Sequence, residues 1–208
     1  MVKTAAVVIV FNPDETINKN IRSYADKIDK LYVMDNSTEP SPIIANSKII
    51  LIHDEINKGI AKRLNQACEI AIQDGFDFLL TMDQDSYFNE TAIEKYLECV
   101  SFFTDKNQVA MFGINYQKQT ETTNCSYNKI GYLITSGSII ILNNYKDIGG
   151  FDENLFIDFV DTDYCFKSNL KGYHLIEFSN IFMHHEIGVT TQQRSLKDLK
   201  SSQRSLQS

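Results

Sequence analysis

The sequence predicts an α/β protein with a mostly parallel central sheet and helices on both faces. Short apolar runs alternate with longer amphipathic runs through the first half of the chain, which is typical of strands that alternate with helices. Apolar residues make up 43% of the 208 residues and include 13 Phe and 10 Tyr, which is enough for the core of one domain. Consecutive strands joined by helices run parallel, because each helix crosses back over the sheet.

The predicted strands of the first half are short apolar segments. They are Ala5–Phe11, Leu31–Met34, Ile49–His53, Phe76–Met82 and Val109–Ile114. The first is an uninterrupted apolar run that stops at a polar Asn-Pro-Asp cluster without a small-residue cleavage site. We therefore interpret it as a buried strand and not as part of a signal peptide.

Three helices are predicted between these strands, at Glu15–Ala25, Ile60–Asp74 and Asn89–Phe103. In the second of them, apolar residues recur at helical spacing until Gly75, which ends the run. The third carries one apolar stripe in the same way.

The pattern changes after about residue 115. Residues 116–126 are polar and mostly uncharged, and they predict a loop. Further along the chain we predict a strand at Ile139–Leu142, a helix at Asp161–Leu170 and a strand at Tyr173–Phe178. The stretch from about 190 to 208 is rich in Ser, Gln and Lys, and it predicts either a solvated helix or a frayed tail.

Charge and cysteine spacing bound the function. With 27 acidic and 20 basic residues the net charge is −7, which argues against a nucleic-acid partner because such binding depends on a basic surface. No apolar run approaches the roughly 20 residues that cross a bilayer. The four cysteines contain no CxxC pair, so we expect neither a zinc site nor a disulfide framework. We expect reduced thiols in a soluble cytoplasmic protein instead.

Polar clusters at the carboxyl ends of the strands are the first candidates for a site, because open parallel sheets bind ligands there. The clusters lie at Asn12-Pro13, Asp35–Ser37, Asp54–Gly59 and Asp83–Ser86. None of them contains GxGxxG, a P-loop or GxSxG. Their absence from these clusters argues against a dinucleotide-binding protein, an NTPase or a serine hydrolase.

The strongest single signal is the pair Asp83 and Asp85, which follows an apolar strand. Two carboxylates one residue apart bind a hard divalent cation if the backbone turns there, and Mg²⁺ or Mn²⁺ prefers such oxygen ligands. The alternative is a turn with two solvated aspartates. The position at the end of a buried strand favours the metal interpretation.

A second pair, Asp161 and Asp163, lies at the start of a predicted helix. Acidic residues suit a first helical turn, so capping is the favoured interpretation of these residues taken alone; the alternative is a general base beside a substrate hydroxyl. The His184-His185-Glu186 cluster does not fit HExxH. One of its histidines either supplies a single metal ligand or is structural.

The ordered set of clusters resembles the family-2 inverting glycosyltransferases of GT-A fold, and among them the bacterial rhamnosyltransferases. The matching segments, in order, are Val7–Pro13, Val33–Ser37, Asn57–Ala61 with Asn65, Leu79–Ser86, Thr135–Ser138, Gly149–Glu153, Leu155–Asp158, Asp161–Asp163 and His185–Gly188. They extend over most of the chain, from about residue 5 to residue 188.

The resemblance implies roles for individual residues. Those expected to bind the nucleotide are Phe11, Asn12, Pro13, Asp35, Asn57, Gly59, Ala61 and Asp83. Those expected to bind the metal, Mg²⁺ or Mn²⁺, are Asp83, Asp85 and His185. Asp161 is similar to the family's catalytic base, and Asp158, Asp163, Ser136 and Gly137 are expected to support the acceptor site. From the residues alone, Lys62 and Arg63, on the helix after Gly59, either face a diphosphate or form the solvent-exposed face of that helix.

The resemblance also implies a reaction: a metal-assisted transfer of a sugar, with inversion, from a nucleoside-diphosphate donor to a hydroxyl. The donor it favours is dTDP-rhamnose, and the acceptor is a cell-surface oligosaccharide or lipid-linked saccharide, with peripheral association at the inner face of the cell membrane. We expect one catalytic domain over 1–188, with nucleotide-sugar binding in 1–114 and acceptor binding in 115–188, followed by a polar tail over 189–208.

The chain departs from the family where many relatives have Glu before the base and Arg four residues after Asp163. Here these positions are Val160 and Lys167. Two other functions remain open: a non-catalytic module that binds nucleotide sugars, and a transferase that synthesises sugar nucleotides. The latter would need a Gly-rich, Arg-containing loop after the first strand, which the Asn-Pro-Asp-Glu sequence there does not provide.

Overall fold

The structure is a computed structural model that describes residues 3–89, 91–116 and 124–185. The predicted tail, the residues after His185 in its motif and most of the predicted loop over 116–126 lie outside these ranges. No helix in the described ranges has the length and apolar character needed to cross a membrane.

Within the described ranges, ten strands form two sheets. In chain order they are β1 (Thr4–Val10), β2 (Lys30–Asp35), β3 (Ile49–His53), β4 (Phe78–Asp83), β5 (Tyr87–Phe88), β6 (Val109–Ile114), β7 (Tyr127–Ile130), β8 (Ser138–Ile141), β9 (His174–Phe178) and β10 (Met183–His184). The main sheet has the order β3-β2-β1-β4-β8-β6-β9-β7, and β5 pairs with β10 in a small second sheet. Only β8 and β7 pair antiparallel to their neighbours in the main sheet, so the sheet is mostly parallel, as predicted.

Five α-helices in the part of the chain that the structure describes cover the two faces of the main sheet. They are α1 (Thr16–Ala25), α2 (Gly59–Gln73), α3 (Ala92–Phe102), α4 (Leu142–Ile148) and α5 (Val160–Leu170). The core on one face is formed with α1 and α3, and the core on the other face with α2, α4 and α5. This arrangement confirms the predicted α/β class with helices on both faces.

The first strand, β1, lies between β2 and β4 in the parallel half of the sheet, and every one of its residues is buried. A strand that is buried on both faces needs helices packed above and below the sheet. On one of those faces, α2 contributes Ala61, Ala67 and Ala71, each at most 1% exposed. Such small side chains let the helix approach the sheet closely.

The second half contains elements that the sequence analysis missed. The predicted strand over Ile139–Leu142 ends at Ile141, and Leu142 begins the short helix α4. The strand β7 is exposed at three of its four positions and lies at the sheet edge. A polar edge strand lacks the apolar alternation that identifies strands in a sequence.

The prediction of four reduced cysteines was wrong for two of them. Cys99 in α3 and Cys125 just before β7 form a disulfide, with their Cα atoms 5.5 Å apart. They are 26 residues apart in the sequence, and nothing in that spacing indicates that the helix and the edge strand converge. Cys68 and Cys165 are free and buried. The argument for a reducing compartment from the cysteines therefore no longer holds.

Candidate active site

A cleft of about 400 Å³ opens beyond the carboxyl ends of β1 and β4. Its walls come from the ends of these strands, the start of α2 and the segment that leads into α5. The lining residues are Ile9, Val10, Phe11, Asn36, Asn57, Gly59, Ile60, Asp83, Gln84, Asp85, Thr135, Phe156, Ile157, Val160 and Asp161. The cleft therefore brings together residues from both halves of the chain, as expected at this edge of an open sheet.

The floor of the cleft carries a cluster that fits a divalent cation. Asp83, Asp85 and His185 each offer a ligand atom, and these atoms lie within 4.8 Å of one another. Carboxylate oxygens suit Mg²⁺ and Mn²⁺, and imidazole nitrogen is a common further ligand for transition metals. The donor set thus matches the cation that the resemblance implies.

The two aspartates of this turn differ in their electrostatics. Burial in the cleft, opposed by the charge of His185 and assisted by the charges of Asp85 and Asp161, raises the pKa of Asp83 to about 6. This holds although 45% of the Asp83 side chain reaches solvent, because the cleft walls surround it. His185 beside Asp85 lowers the pKa of that carboxyl.

Two buried serines hold His185 behind the acidic turn. Ser86 is fully buried and its Oγ lies 2.8 Å from His185 Nδ1. Ser136 Oγ is 2.9 Å from Ser86 Oγ and accepts a hydrogen bond from the Asp83 backbone at 3.2 Å. The ring of Tyr116 packs against His185 with the centroids 5.6 Å apart. Ser136 thus contacts the D-x-D turn from behind and does not line the cleft.

Asp161 faces the cleft from the first turn of α5. Its carboxylate accepts one hydrogen bond from the Thr162 backbone at 2.9 Å and another from the hydroxyl of Tyr132 at 3.0 Å. Its neighbour Asp163 pairs with Lys167 at 2.7 Å, one turn along the helix. The two aspartates of this second pair therefore have different partners, and only Asp161 lines the cleft.

The start of α2 is built against the segment before α5. Gly59 has φ +75, and a Cβ there would lie 2.5 Å from the carbonyl oxygen of Phe156. That oxygen accepts a hydrogen bond from the Ile60 backbone at 2.6 Å. The position therefore requires glycine, both for its backbone conformation and for the close contact. Phe156 and Phe11 are both about half exposed in the cleft.

Asp35 is fully buried and does not line the cleft. Its carboxylate accepts hydrogen bonds from the backbones of Ser37 at 2.9 Å and Ser41 at 2.8 Å. Burial opposes ionisation, but these hydrogen bonds outweigh it and lower the pKa of Asp35. The adjacent residue, Asn36, forms part of the cleft wall instead.

Arg63 is also fully buried. It therefore does not lie on the solvent-exposed face of its helix, and it is not accessible to a diphosphate. Its guanidinium donates to Asp54 Oδ1 at 2.6 Å, to Asn36 Oδ1 at 2.8 Å and to the carbonyl of Asp35 at 2.8 Å. It joins α2 to the ends of β2 and β3. A buried arginine with several acceptors fixes this wall of the cleft.

The remaining predicted residues lie around the cleft. Asn12 and Pro13 line an adjoining groove of about 540 Å³, which shares Gln84 and Asp85 with the cleft. Ala61 is buried in α2, and Gly137, with φ +69, packs under Met183. Asp158 is exposed on the segment before α5 and does not line the cleft.

Sequence reasoning missed several residues that shape the site. Gln84 Oε1 accepts a hydrogen bond from the Phe11 backbone at 2.9 Å, which ties the D-x-D turn to the end of β1. Its position between two aspartates could have indicated this role. Tyr132 and Tyr116 carry no such signal, because only the tertiary structure brings them to Asp161 and His185.

A family model described as "Glycosyl transferase family 2" matches residues 5–166 of this chain. The chain belongs to glycosyl transferase family 2. This confirms the resemblance seen in the ordered sequence motifs. Among curated proteins, the dTDP-rhamnosyl transferase RfbF of Shigella flexneri is 26% identical over 207 residues, which cover 88% of this chain and 69% of that protein. This family member is therefore rhamnosyltransferase-like in sequence.

Solved structures confirm the GT-A fold. The crystal structure of S. aureus TarS has a TM-score of 0.62 and 17% identity, and the match covers 87% of this chain and 36% of that one. The crystal structure of GalNAc-T7 with UDP, GalNAc and Mn²⁺ has a TM-score of 0.69 and 11% identity, over 99% of this chain and 48% of that one. This chain thus spans half or less of the length of either.

Proposed function

We propose that this protein transfers a sugar from a nucleoside-diphosphate donor to a hydroxyl group, with inversion at the anomeric carbon. The observation that carries the proposal is that one cleft is lined both by Asp83 and Asp85, which form a cluster with His185, and by the separate carboxylate of Asp161. A glycosyl transfer needs both: stabilisation of the leaving diphosphate, and a base for the attacking hydroxyl.

On the donor side, Asp83, Asp85 and His185 would hold Mg²⁺ or Mn²⁺. The bound cation supplies electrostatic stabilisation of the negative charge that develops on the diphosphate. Phe11 and Asn36 form the wall available to the base and ribose, and Asn57 and Gly59 form the turn beside them. Phe156, which packs against Gly59, lines the cleft beside this turn and adds an apolar surface to the donor site.

On the acceptor side, Asp161 takes the proton of the acceptor hydroxyl. The hydroxyl oxygen forms a bond to the anomeric carbon as the bond from that carbon to the diphosphate oxygen breaks. The nucleoside diphosphate leaves with the electron pair of the broken bond. Attack from the face opposite the leaving group inverts the configuration, and positive charge builds transiently on the sugar ring. Holding both substrates in line supplies much of the rate acceleration.

We propose dTDP-rhamnose as the donor, supported by the similarity to a curated dTDP-rhamnosyl transferase. The apolar part of the cleft wall, including Ile60, Phe156 and Ile157, suits a deoxysugar with a methyl group. The acceptor we propose is a saccharide, carried on a polysaccharide or a lipid, at the inner face of the cell membrane. Asp158, Asp163, Ser136 and Gly137 would support its binding from outside the cleft lining.

Calorimetric titration tests the proposal directly. The protein is titrated with dTDP, UDP and GDP and with their sugars, with and without Mn²⁺. We expect metal-dependent binding of one nucleotide that is lost in the double variant Asp83→Ala/Asp85→Ala. Binding should be kept in the control variant Asp105→Ala, because Asp105 precedes β6 and does not line the cleft. Binding without metal dependence, or no binding across the panel, would contradict the assignment of the donor site.

A further inference from the structure

Tyr132 is joined to α5 by a set of contacts on one face of the helix. Asp161, Cys165 and Asn169 are four residues apart and therefore lie one above another on that face. Each of them contacts a member of the tripeptide Gly131–Leu133. Asn169 Nδ2 donates to the Gly131 carbonyl at 3.0 Å, the Leu133 backbone donates to Cys165 Sγ at 3.3 Å, and Tyr132 Oη donates to Asp161 Oδ2 at 3.0 Å.

These contacts fix the phenol relative to the carboxylate. Backbone atoms on both sides of Tyr132 are anchored to α5, and Cys165 Sγ also donates to the Leu133 carbonyl at 3.3 Å. The backbone of Tyr132 is therefore held beside α5, which places its hydroxyl within hydrogen-bond distance of Asp161. Tyr132 is 47% exposed, but burial of the rest of its side chain, followed by the neighbouring charge of Asp161, raises the pKa of its hydroxyl to about 12. The phenol consequently remains a hydrogen-bond donor at neutral pH.

Two hydrogen bonds orient the Asp161 carboxylate, one on each oxygen. The Thr162 backbone holds Oδ1 and the Tyr132 hydroxyl holds Oδ2, so the carboxylate plane cannot rotate without losing one of them. Each carboxylate oxygen has two lone pairs, and each of these bonds occupies one. The remaining lone pairs stay available, in a fixed direction, to a hydroxyl that enters the cleft.

We propose that Tyr132 is a positioning residue, which orients the carboxylate of Asp161 for proton transfer from the acceptor hydroxyl. The inference rests on the proposed function, since it takes Asp161 as the base. Tyr132 does not exchange a proton in the reaction; it acts through Asp161. Misplacement of a reacting group by about 1 Å is enough to cost about 100-fold in rate, so loss of the orienting bond is expected to lower kcat strongly.

The kinetic test compares Tyr132→Phe with a matched control. Tyr173→Phe removes a hydroxyl that donates to Asp147 at 2.8 Å, an equivalent tyrosine–aspartate pair outside the cleft lining. We expect Tyr132→Phe to lower kcat about 10- to 100-fold without changing the Kd of the donor, and Tyr173→Phe to leave both unchanged. An unchanged kcat in Tyr132→Phe would overturn the inference.

A double-mutant cycle with Asp161→Asn separates positioning from any other role. Once the base is gone, Tyr132→Phe should reduce the residual rate no further, because residues that act as a unit are not additive. A full additional loss in the double variant would refute the inference, since Tyr132 would then act elsewhere. If Asp161→Asn itself keeps the normal rate, it is the proposed base that fails.

A spectroscopic readout is independent of activity. The ¹³C resonance of the Asp161 carboxylate is assigned in labelled protein by its absence in Asp161→Asn. We expect it to shift in Tyr132→Phe and not in Tyr173→Phe, because only the former removes a hydrogen bond to this carboxylate. A resonance that stays in place in Tyr132→Phe would overturn the inference even if no transfer were detected.

Discussion

The chain carries two Asp-x-Asp pairs, and the protein surrounds them differently. At the end of β4, Asp83 and Asp85 form one cluster with His185, and the ligand atoms of the three residues lie within 4.8 Å of one another. At the start of α5, Asp161 and Asp163 diverge: one faces the cleft with Tyr132, and the other pairs with Lys167. The same three-letter pattern therefore suits a cation in a tight turn and a lone base on a helix.

This difference follows from local geometry. A turn after a strand lets residues two apart project into the same space. On a helix, residues two apart point in different directions, since only positions three or four apart are neighbours. The separate environments of the two pairs predict separate effects of substitution, and four experiments can strengthen or refute the comparison.

The largest effect is expected for Asp161→Asn. Loss of a general base typically costs 10²- to 10⁴-fold, so we expect transfer to fall by about that range while donor binding persists. The assay is release of nucleoside diphosphate in the presence of acceptor, with donor affinity measured by calorimetry. Asp163→Asn, in the same pair, should lower transfer far less, because Asp163 lies outside the cleft lining and is proposed only to support acceptor binding. Normal transfer in Asp161→Asn would move the base to Asp163 or Asp158.

A large effect on metal binding is expected for Asp85→Asn. Removal of a direct ligand should weaken Mn²⁺ binding at least as much as removal of a group that only orients a ligand, which costs about 10- to 100-fold. Mn²⁺ affinity is measured by electron paramagnetic resonance in the presence of dTDP. Asp161→Asn should leave the affinity nearly unchanged. Equal losses in both variants would show that the two acidic pairs act as one site.

Opposite effects on the stability of the metal-free protein are expected within the first pair. The raised pKa of Asp83, about 6, means that its charge destabilises the fold above pH 6, and that this cost disappears as the pH falls towards the ordinary value of 3.8. Asp85 has a lowered pKa, so its charge stabilises the fold above pH 3.8 and this gain is lost on acidification below it.

At pH 7, Asp83→Asn should therefore raise Tm and Asp85→Asn should lower it. Both shifts should be small, because more than a third of each side chain is exposed and solvent screens its charge. Both differences should shrink near pH 4 and below. Thermal unfolding followed by circular dichroism in the presence of a chelator measures them. Shifts of the same sign in the two variants at pH 7 would contradict the electrostatic assignment of this turn.

The smallest effect is expected for Lys167→Met. Ion pairs four residues apart on a helix contribute about 0.3–0.5 kcal/mol, so loss of the pair with Asp163 should lower Tm by about 1–2 °C for a chain of this size. Differential scanning calorimetry detects such a shift. A loss of transfer activity without loss of stability would show that the pair acts through acceptor binding and not through the stability of α5.

The first half of the fold could be predicted closely from the sequence. The strands β3 and β6 coincide with the predicted segments, and β1, β2 and α2 differ from theirs by one residue at each end. The strands are continuous apolar runs, and α2 repeats apolar residues at helical spacing, so the hydrophobic pattern identifies them directly. The edge strand β7 and the helix α4 were missed, because an exposed strand and a seven-residue helix leave little periodic signal.

The candidate site divides in the same way. The D-x-D turn, the glycine at the start of α2 and the acidic start of α5 were all marked by residue type at the ends of elements. Asp35 and Arg63 were expected to meet the nucleotide or to be solvated, but the structure buries both behind the cleft wall. Whether a polar side chain faces a ligand or a buried partner depends on neighbours that are distant in the sequence.

The sequence by itself determined the α/β class, the parallel half of the sheet and the residues that could carry the chemistry. These depend on local periodicity and on the residue types at strand ends. Only the tertiary structure decided which carboxylates share a cluster, that Tyr132 contacts Asp161, and that Cys99 meets Cys125. The reason is physical: these contacts join residues 26 to 102 positions apart, from Cys99–Cys125 to Asp83–His185, and the packing of helices on the sheet creates them.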